Sequence, residues 1–157
     1  PYVLHPGDTL VVPGGVWTAP AASGVAAAGA APAGAGKATG SFMWPTTGRL
    51  TQGPWWRHMA IDLGAPKGTP INAADAGYVL EAGWSNVGYG QYVILDHGNG
   101  YRTLYAHMSV IIARRGQAVE KGTKIGLIGS TGRSTGPHLH FEVYKNGVLQ
   151  NPFHYLP

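Results

Sequence analysis

The chain has 157 residues, 44% of them hydrophobic and only 11% charged, with 25 glycines, 12 prolines and no cysteine. That length is one domain with a tail, and the lack of cysteine excludes disulfides, thiolate metal sites and cysteine nucleophiles. Eleven Lys and Arg against seven Asp and Glu leave +4 with neutral histidines, so nucleic acid is not an expected partner, while a polyanionic surface is admissible.

Residues 1–17 carry short apolar runs broken by Pro-Gly and Gly-Asp. Residues 18–40 are almost entirely Ala, Gly and Pro, with Lys37 the only charge, which is the composition of a flexible linker. Residues 41–157 hold nearly all the aromatics and read as one domain. There Tyr92–Leu95, Val110–Ile112, Lys124–Ile128 and Phe141–Tyr144 are short apolar runs bounded by Gly, Asn, Asp or Pro. That is the strand signature of a sandwich or barrel, and no window shows a 3.6-residue period. The domain is expected to be mainly β. No apolar run approaches the ~18 residues of a membrane span, and no leader opens the chain. A start at Pro1 rather than Met is compatible with a removed signal peptide.

Seven histidines without cysteine direct the search to a nitrogen and oxygen metal site. The first cluster is His58-x-x-x-Asp62, followed at once by Gly64, Pro66, Gly68 and Pro70, which leave no room for a helix. On a straight strand the two side chains sit ~13 Å apart, too far for one ion. If they share a metal, His58 lies in a loop that curls back onto the strand carrying Asp62. Next comes His107, at the end of the apolar stretch Leu104-Tyr105-Ala106. Last is His138-Leu139-His140-Phe141-Glu142-Val143, where a strand points His138, His140 and Glu142 to one face and the apolar residues to the other. Two histidines and an aspartate make a three-ligand site with an open fourth position, the layout of a catalytic zinc centre. Spacing leaves open whether His138 or His140 is the ligand.

With these motifs assembled, residues 43–157 resemble the lysostaphin-like zinc metalloendopeptidases (lysostaphin/LytM type), which cleave peptides of the bacterial cell wall. The likeness runs through His58-x-x-x-Asp62, Asn72-Ala73-Ala74-Asp75-Ala76-Gly77 and Gly83-Trp84-Ser85-Asn86. It continues in Asp96-His97-Gly98-Asn99-Gly100-Tyr101, Tyr105-Ala106-His107 and Val119-Glu120-Lys121-Gly122. It closes on Gly126–Gly132, Ser134–Phe141 and Asn151-Pro152. The resemblance implies that His58, Asp62 and His140 hold one Zn2+ per chain, with His107 and His138 as catalytic histidines beside it. It implies an antiparallel barrel-sandwich-like core with loops forming a substrate groove over the metal. The expected activity is hydrolysis of peptidoglycan stem peptides or cross-bridges, by a secreted or envelope-facing monomer. The alternative is a non-catalytic regulator of the same fold; such relatives lose metal ligands, and all three are present here. Glycyl-glycine and D-alanyl cross-links are both admissible substrates.

Two positions depart from the family pattern. Ala60 stands where His-x-Gly-x-Asp has glycine, and Gln52 where some members carry a tyrosine that assists the oxyanion. His107, His138 or a backbone N–H are the remaining donors for that charge. Trp55 and Trp56 are candidates to line the groove or to pack inside. His97 reads as a turn residue capping its own hairpin, Glu142 as a support to the histidines or a solvent-facing residue, and His5 and His154 as unpartnered. Val119–Gly129 also resembles part of lipoyl or biotinyl carrier domains, for which Lys121 or Lys124 would be the modified residue. Leu4–Pro13 is similar to the end of a LysM peptidoglycan-binding repeat.

Overall fold

The computed structural model describes residues 37–157 throughout and, before them, the backbone of 9–12 and 15–18. Strands β1 (Thr9–Val12) and β2 (Gly15–Thr18) pair antiparallel as a hairpin. Residues 19–36, the bulk of the expected linker, lie outside the described residues, as does most of the LysM-like stretch Leu4–Pro13.

The second unit carries ten strands. These are β3 (Arg49–Gln52), β4 (Ile61–Gly64), β5 (Pro70–Asn72), β6 (Gly77–Ser85) and β7 (Gly90–Asp96). They continue as β8 (Tyr101–Ile111), β9 (Ala118–Val119), β10 (Lys124–Ile128), β11 (His138–Lys145) and β12 (Val148–Gln150). A single 3-10 turn at Pro152–His154 is the only helical element among the described residues. The sheet runs β3-β4-β11-β8-β7-β6-β9, with β12 beside β11 and β10 joining β8 to β5. All pairings are antiparallel. The mainly β, antiparallel expectation holds, but the sheet does not close into a barrel: the path ends on β3 and on the two-residue β9. Edges this short offer little for another strand to pair with.

Strand β11 shows how the sequence fixes the site. Leu139, Phe141 and Val143 are wholly buried, while His138, His140 and Glu142 alternate with them onto the opposite face. The apolar set packs with Ile61, Leu63, Tyr105 and Met108 in one core, each large side chain contributing about 1.5–3 kcal/mol by leaving water. Asn146 and Gly147, at φ of 50° and 80°, form the two-residue turn that returns the chain into β12 with Lys145 facing Val148. Both φ values are left-handed, as this kind of hairpin turn requires.

Strand β8 corrects one expectation. Val110–Ile112 is not a separate strand, and His107 does not end a segment; one strand runs from Tyr101 through His107 to Ile111, leaving Ile112 just outside it. Pairing with β7 slips between Gln91 and Val93, and pairing with β10 slips between Leu127 and Ile128. At that irregularity His107 takes a left-handed φ of 62°, a conformation that costs a non-glycine residue about 1–2 kcal/mol.

Candidate metal centre

Strand pairing supplies most of the site. His140 on β11 lies directly opposite Asp62 on β4 and, across its other edge, opposite Ala106 on β8. The His140 Nδ1 is 2.8 Å from Asp62 Oδ1. His58 reaches the same carboxylate from the loop before β4, as the strand-length estimate demanded. Trp55 and His58 exchange two backbone hydrogen bonds of 2.9 and 2.8 Å, which turn the chain back on itself. This leaves His58 Nε2 at 3.3 Å from Asp62 Oδ2. One donor atom from each of His58, Asp62 and His140 lies within 4.8 Å of the others. Two imidazoles and one carboxylate without thiolate suit zinc better than magnesium or calcium, which favour all-oxygen shells. The His58 Nδ1 is buried and has no protein hydrogen-bond partner, so the ring's polar link within the protein is through Nε2.

Charge within this cluster is strongly coupled. Burial would raise the Asp62 carboxyl, but hydrogen bonds from His140 and His58 outweigh it and hold the group far below the usual carboxylate range. Burial would lower His140, yet its hydrogen bonds to Asp62 and Glu142 prevail and lift it to about 9.

His107 and His138 flank the cluster from β8 and from the start of β11. His107 Nδ1 donates to the Thr131 carbonyl at 2.8 Å, and His138 Nδ1 to the Gly136 carbonyl at 2.9 Å. A carbonyl can only accept, so each Nδ1 carries the hydrogen and each Nε2 is the atom left to exchange a proton. His138 Nε2 is 3.9 Å from Asp62 Oδ1, against 2.8 Å for His140. The geometry therefore groups His140, rather than His138, with the carboxylate. Burial lowers His107 to about 4, with the Thr131 hydrogen bond offsetting part of the effect. Its ring is neutral at neutral pH.

Other expected residues fall differently. Trp55 and Trp56 are both exposed, the latter 78%, with the Arg57 guanidinium over the Trp56 ring. Gln52, exposed, sits opposite Asp62 on the neighbouring strand β3. Ala60 is buried. His97 closes its hairpin only through the backbone, its N–H donating to the Tyr101 carbonyl at 3.0 Å; the side chain is not the cap. It is buried, with Nδ1 2.7 Å from the Ala76 carbonyl and Nε2 2.9 Å from Thr103 Oγ1, because its ring turns inward beside Phe42. Lys121 Nζ donates to the Ser41 carbonyl at 2.7 Å, and Lys124 is exposed at the start of β10. His154 is exposed on the 3-10 turn, and His5 lies outside the described residues.

Sequence reading missed Thr131, Ser134, Tyr89 and Tyr144. Thr131 and Gly136 act through backbone carbonyls, while the Ser134 hydroxyl stands 3.2 Å from His138 Nδ1. Tyr144 was within reach, two residues beyond Glu142 on the same strand face; Tyr89 carried no signal in sequence.

Residues 57–152 match the model of peptidase family M23. Among relatives, the chain is 41% identical over 108 residues to the peptidoglycan DD-endopeptidase ShyC of Vibrio cholerae, a match covering 69% of this chain and 24% of that protein. The chain thus spans about a quarter of the length of that curated relative. Its structure is similar to the catalytic domain of the antimicrobial peptidase lysostaphin from Staphylococcus simulans. There the TM-score is 0.63 and the identity 35%, with 69% of this chain and 91% of that one covered. A zinc-containing peptidase from Vibrio cholerae matches with TM-score 0.58 and 35% identity, over 71% of this chain and 34% of that one.

Proposed function

Because this chain belongs to peptidase family M23, we propose that it is a zinc-dependent endopeptidase that hydrolyses peptide bonds in peptidoglycan. One observation carries the reading: His58, Asp62 and His140 converge within 4.8 Å beside two further histidines whose Nδ1 atoms are locked by backbone carbonyls. His58, Asp62 and His140 hold the metal, which when bound supplies a Lewis acid for the scissile carbonyl and a more acidic water. The remaining chemistry belongs to the protein. His107, neutral through burial, accepts a proton at Nε2. His138, when it carries a second hydrogen on Nε2, donates toward the charge that develops on the carbonyl oxygen, and the proton taken up by His107 passes to the leaving amine. The exposed pair Trp55-Trp56 lines the approach for the peptide.

The bond cleaved is the D-alanyl cross-link; the name of the ShyC relative supports this choice over a glycyl-glycine bridge. The site of action is the cell envelope, on the same ground. Residues 1–17 serve as the end of a wall-binding LysM-like segment, and the Ala/Gly/Pro-rich stretch from 18 to about 38 as its tether to the peptidase domain, Thr39 and Gly40 being held by Asp75.

The test is the zinc content of the purified chain by elemental analysis. One zinc per wild-type chain and almost none in Asp62→Ala or His140→Ala is expected. Full occupancy in either variant overturns the ligand assignment.

A further inference from the structure

Beyond the three metal-facing residues stands a buried acidic group for which the hydrolytic roles have no use. Glu142 is 6% exposed, on the same face of β11 as His140 and two residues after it. Its Oε1 lies 2.9 Å from His140 Nε2 and accepts the Tyr89 hydroxyl, also at 2.9 Å. Its Oε2 accepts the Tyr144 hydroxyl. A carboxylate buried this deeply is costly unless hydrogen-bonded, and here three donors converge on it.

We propose that Glu142, clamped by Tyr89 and Tyr144, is a positioning residue that fixes the His140 ring so that Nδ1 is the atom offered to the metal. The proposal rests on the zinc-site reading given above. An ionised carboxylate only accepts, so the His140 nitrogen facing it carries the hydrogen. Both nitrogens face a carboxylate, Nε2 that of Glu142 and Nδ1 that of Asp62, but only Nδ1 lies beside another metal-facing group; a bound ion would take the place of the Nδ1 hydrogen, while Nε2 keeps the one it gives to Glu142. Tyr89 adds a second restraint: its ring lies 5.7 Å from that of His140, tilted by 43°. The Tyr89 carbonyl also accepts the His107 backbone N–H at 2.9 Å. One residue thus touches both the group that orients a ligand and the backbone that carries a catalytic histidine. Carboxylates behind ligating histidines set the tautomer and strengthen the ligand, and losing one typically costs 10–100-fold in metal affinity.

The experiment uses the whole chain stripped of metal and titrated with Zn2+ against a chromophoric chelator, for wild type, Glu142→Gln and Tyr89→Phe. Melting temperatures of the metal-free proteins are measured alongside. Glu142→Gln is expected to weaken zinc binding about 10–100-fold, and Tyr89→Phe to weaken it less, neither loss tracking the melting temperature. Nitrogen-15 NMR of the zinc-loaded wild type is expected to place the His140 hydrogen on Nε2. If Glu142→Gln does not fold, Tyr89→Phe and the tautomer decide. Unchanged affinity in the folded variants, or a hydrogen on Nδ1, overturns the proposal alone. A wild-type chain that binds no zinc overturns the metal-site reading beneath it.

Discussion

The rings of His107 and His138 lie 4.7 Å apart, on different strands, and each gives its Nδ1 hydrogen to a backbone carbonyl. Both are therefore held in one tautomer, with Nε2 as the working atom. Replacing either by alanine should leave the zinc content at the wild-type level while turnover falls about 10²–10⁴-fold, the usual weight of one positioned proton-transfer group. The double variant should lose far less than the product of the two, because groups acting as a unit are not additive. Zinc content set against rate decides. If His138→Ala loses zinc while His140→Ala keeps it, ligand and catalyst have been exchanged.

The left-handed backbone at His107 makes a stability prediction independent of activity. At φ of 62° alanine is strained and glycine is not. His107→Gly should therefore be more stable than His107→Ala by about 1 kcal/mol, the reverse of the order within ordinary strands. Chemical denaturation of the two variants checks this. Alanine equal to or better than glycine would mean that the backbone relaxes out of this conformation.

His97, remote from the metal cluster, should steepen the acid limb of stability. Burial lowers it below its ordinary value near 6.5. The unfolded chain therefore takes up this proton first as the pH falls. The stability tied to the neutral ring is complete above about 6.5 and declines from there toward the lowered folded-state value. His97→Gln should cost stability at pH 7, and the gap to wild type should narrow as the pH drops from 7 to 5. A gap that stays constant over that range contradicts the assignment.

The start of the peptidase domain lies earlier than its composition suggests. Thr39 N and Gly40 N each donate to Asp75 Oδ2 at 2.8 Å, and Asp75 is fully buried. A chain beginning at Lys37 should keep these bonds, whereas one beginning at Ser41 leaves the buried carboxylate short of donors. The shorter chain should be less stable by about 1–3 kcal/mol, the cost of leaving a buried acceptor unpaired. Denaturant melts of the two truncations check this, and equal stabilities contradict it.

What the sequence made legible follows from what is local. The alternation in His138–Val143 sets inside against outside over one strand, and His58-x-x-x-Asp62 with its following prolines forces a returning loop. Both were readable because they depend on neighbours a few residues away. The choice of His140 over His138 was not, since both share a face of β11. Register against β4, where Asp62 falls opposite His140, favours the residue that the family resemblance implies. The strand irregularity at His107, the inward turn of His97 and the approach of Tyr89 to Glu142 depend on contacts between distant segments. No periodicity within one strand encodes these.

The activity proposed for this site is cleavage of peptidoglycan cross-links. The direct measurement is mass spectrometry of purified muropeptide dimers joined by D-alanyl cross-links, incubated with the zinc-loaded chain and, in parallel, with His140→Ala. Conversion of dimers to monomers carrying a new D-alanine carboxyl terminus, by the wild type only, is the predicted result. Dimers that stay intact in the presence of stoichiometric zinc, or equal cleavage by His140→Ala, would contradict it.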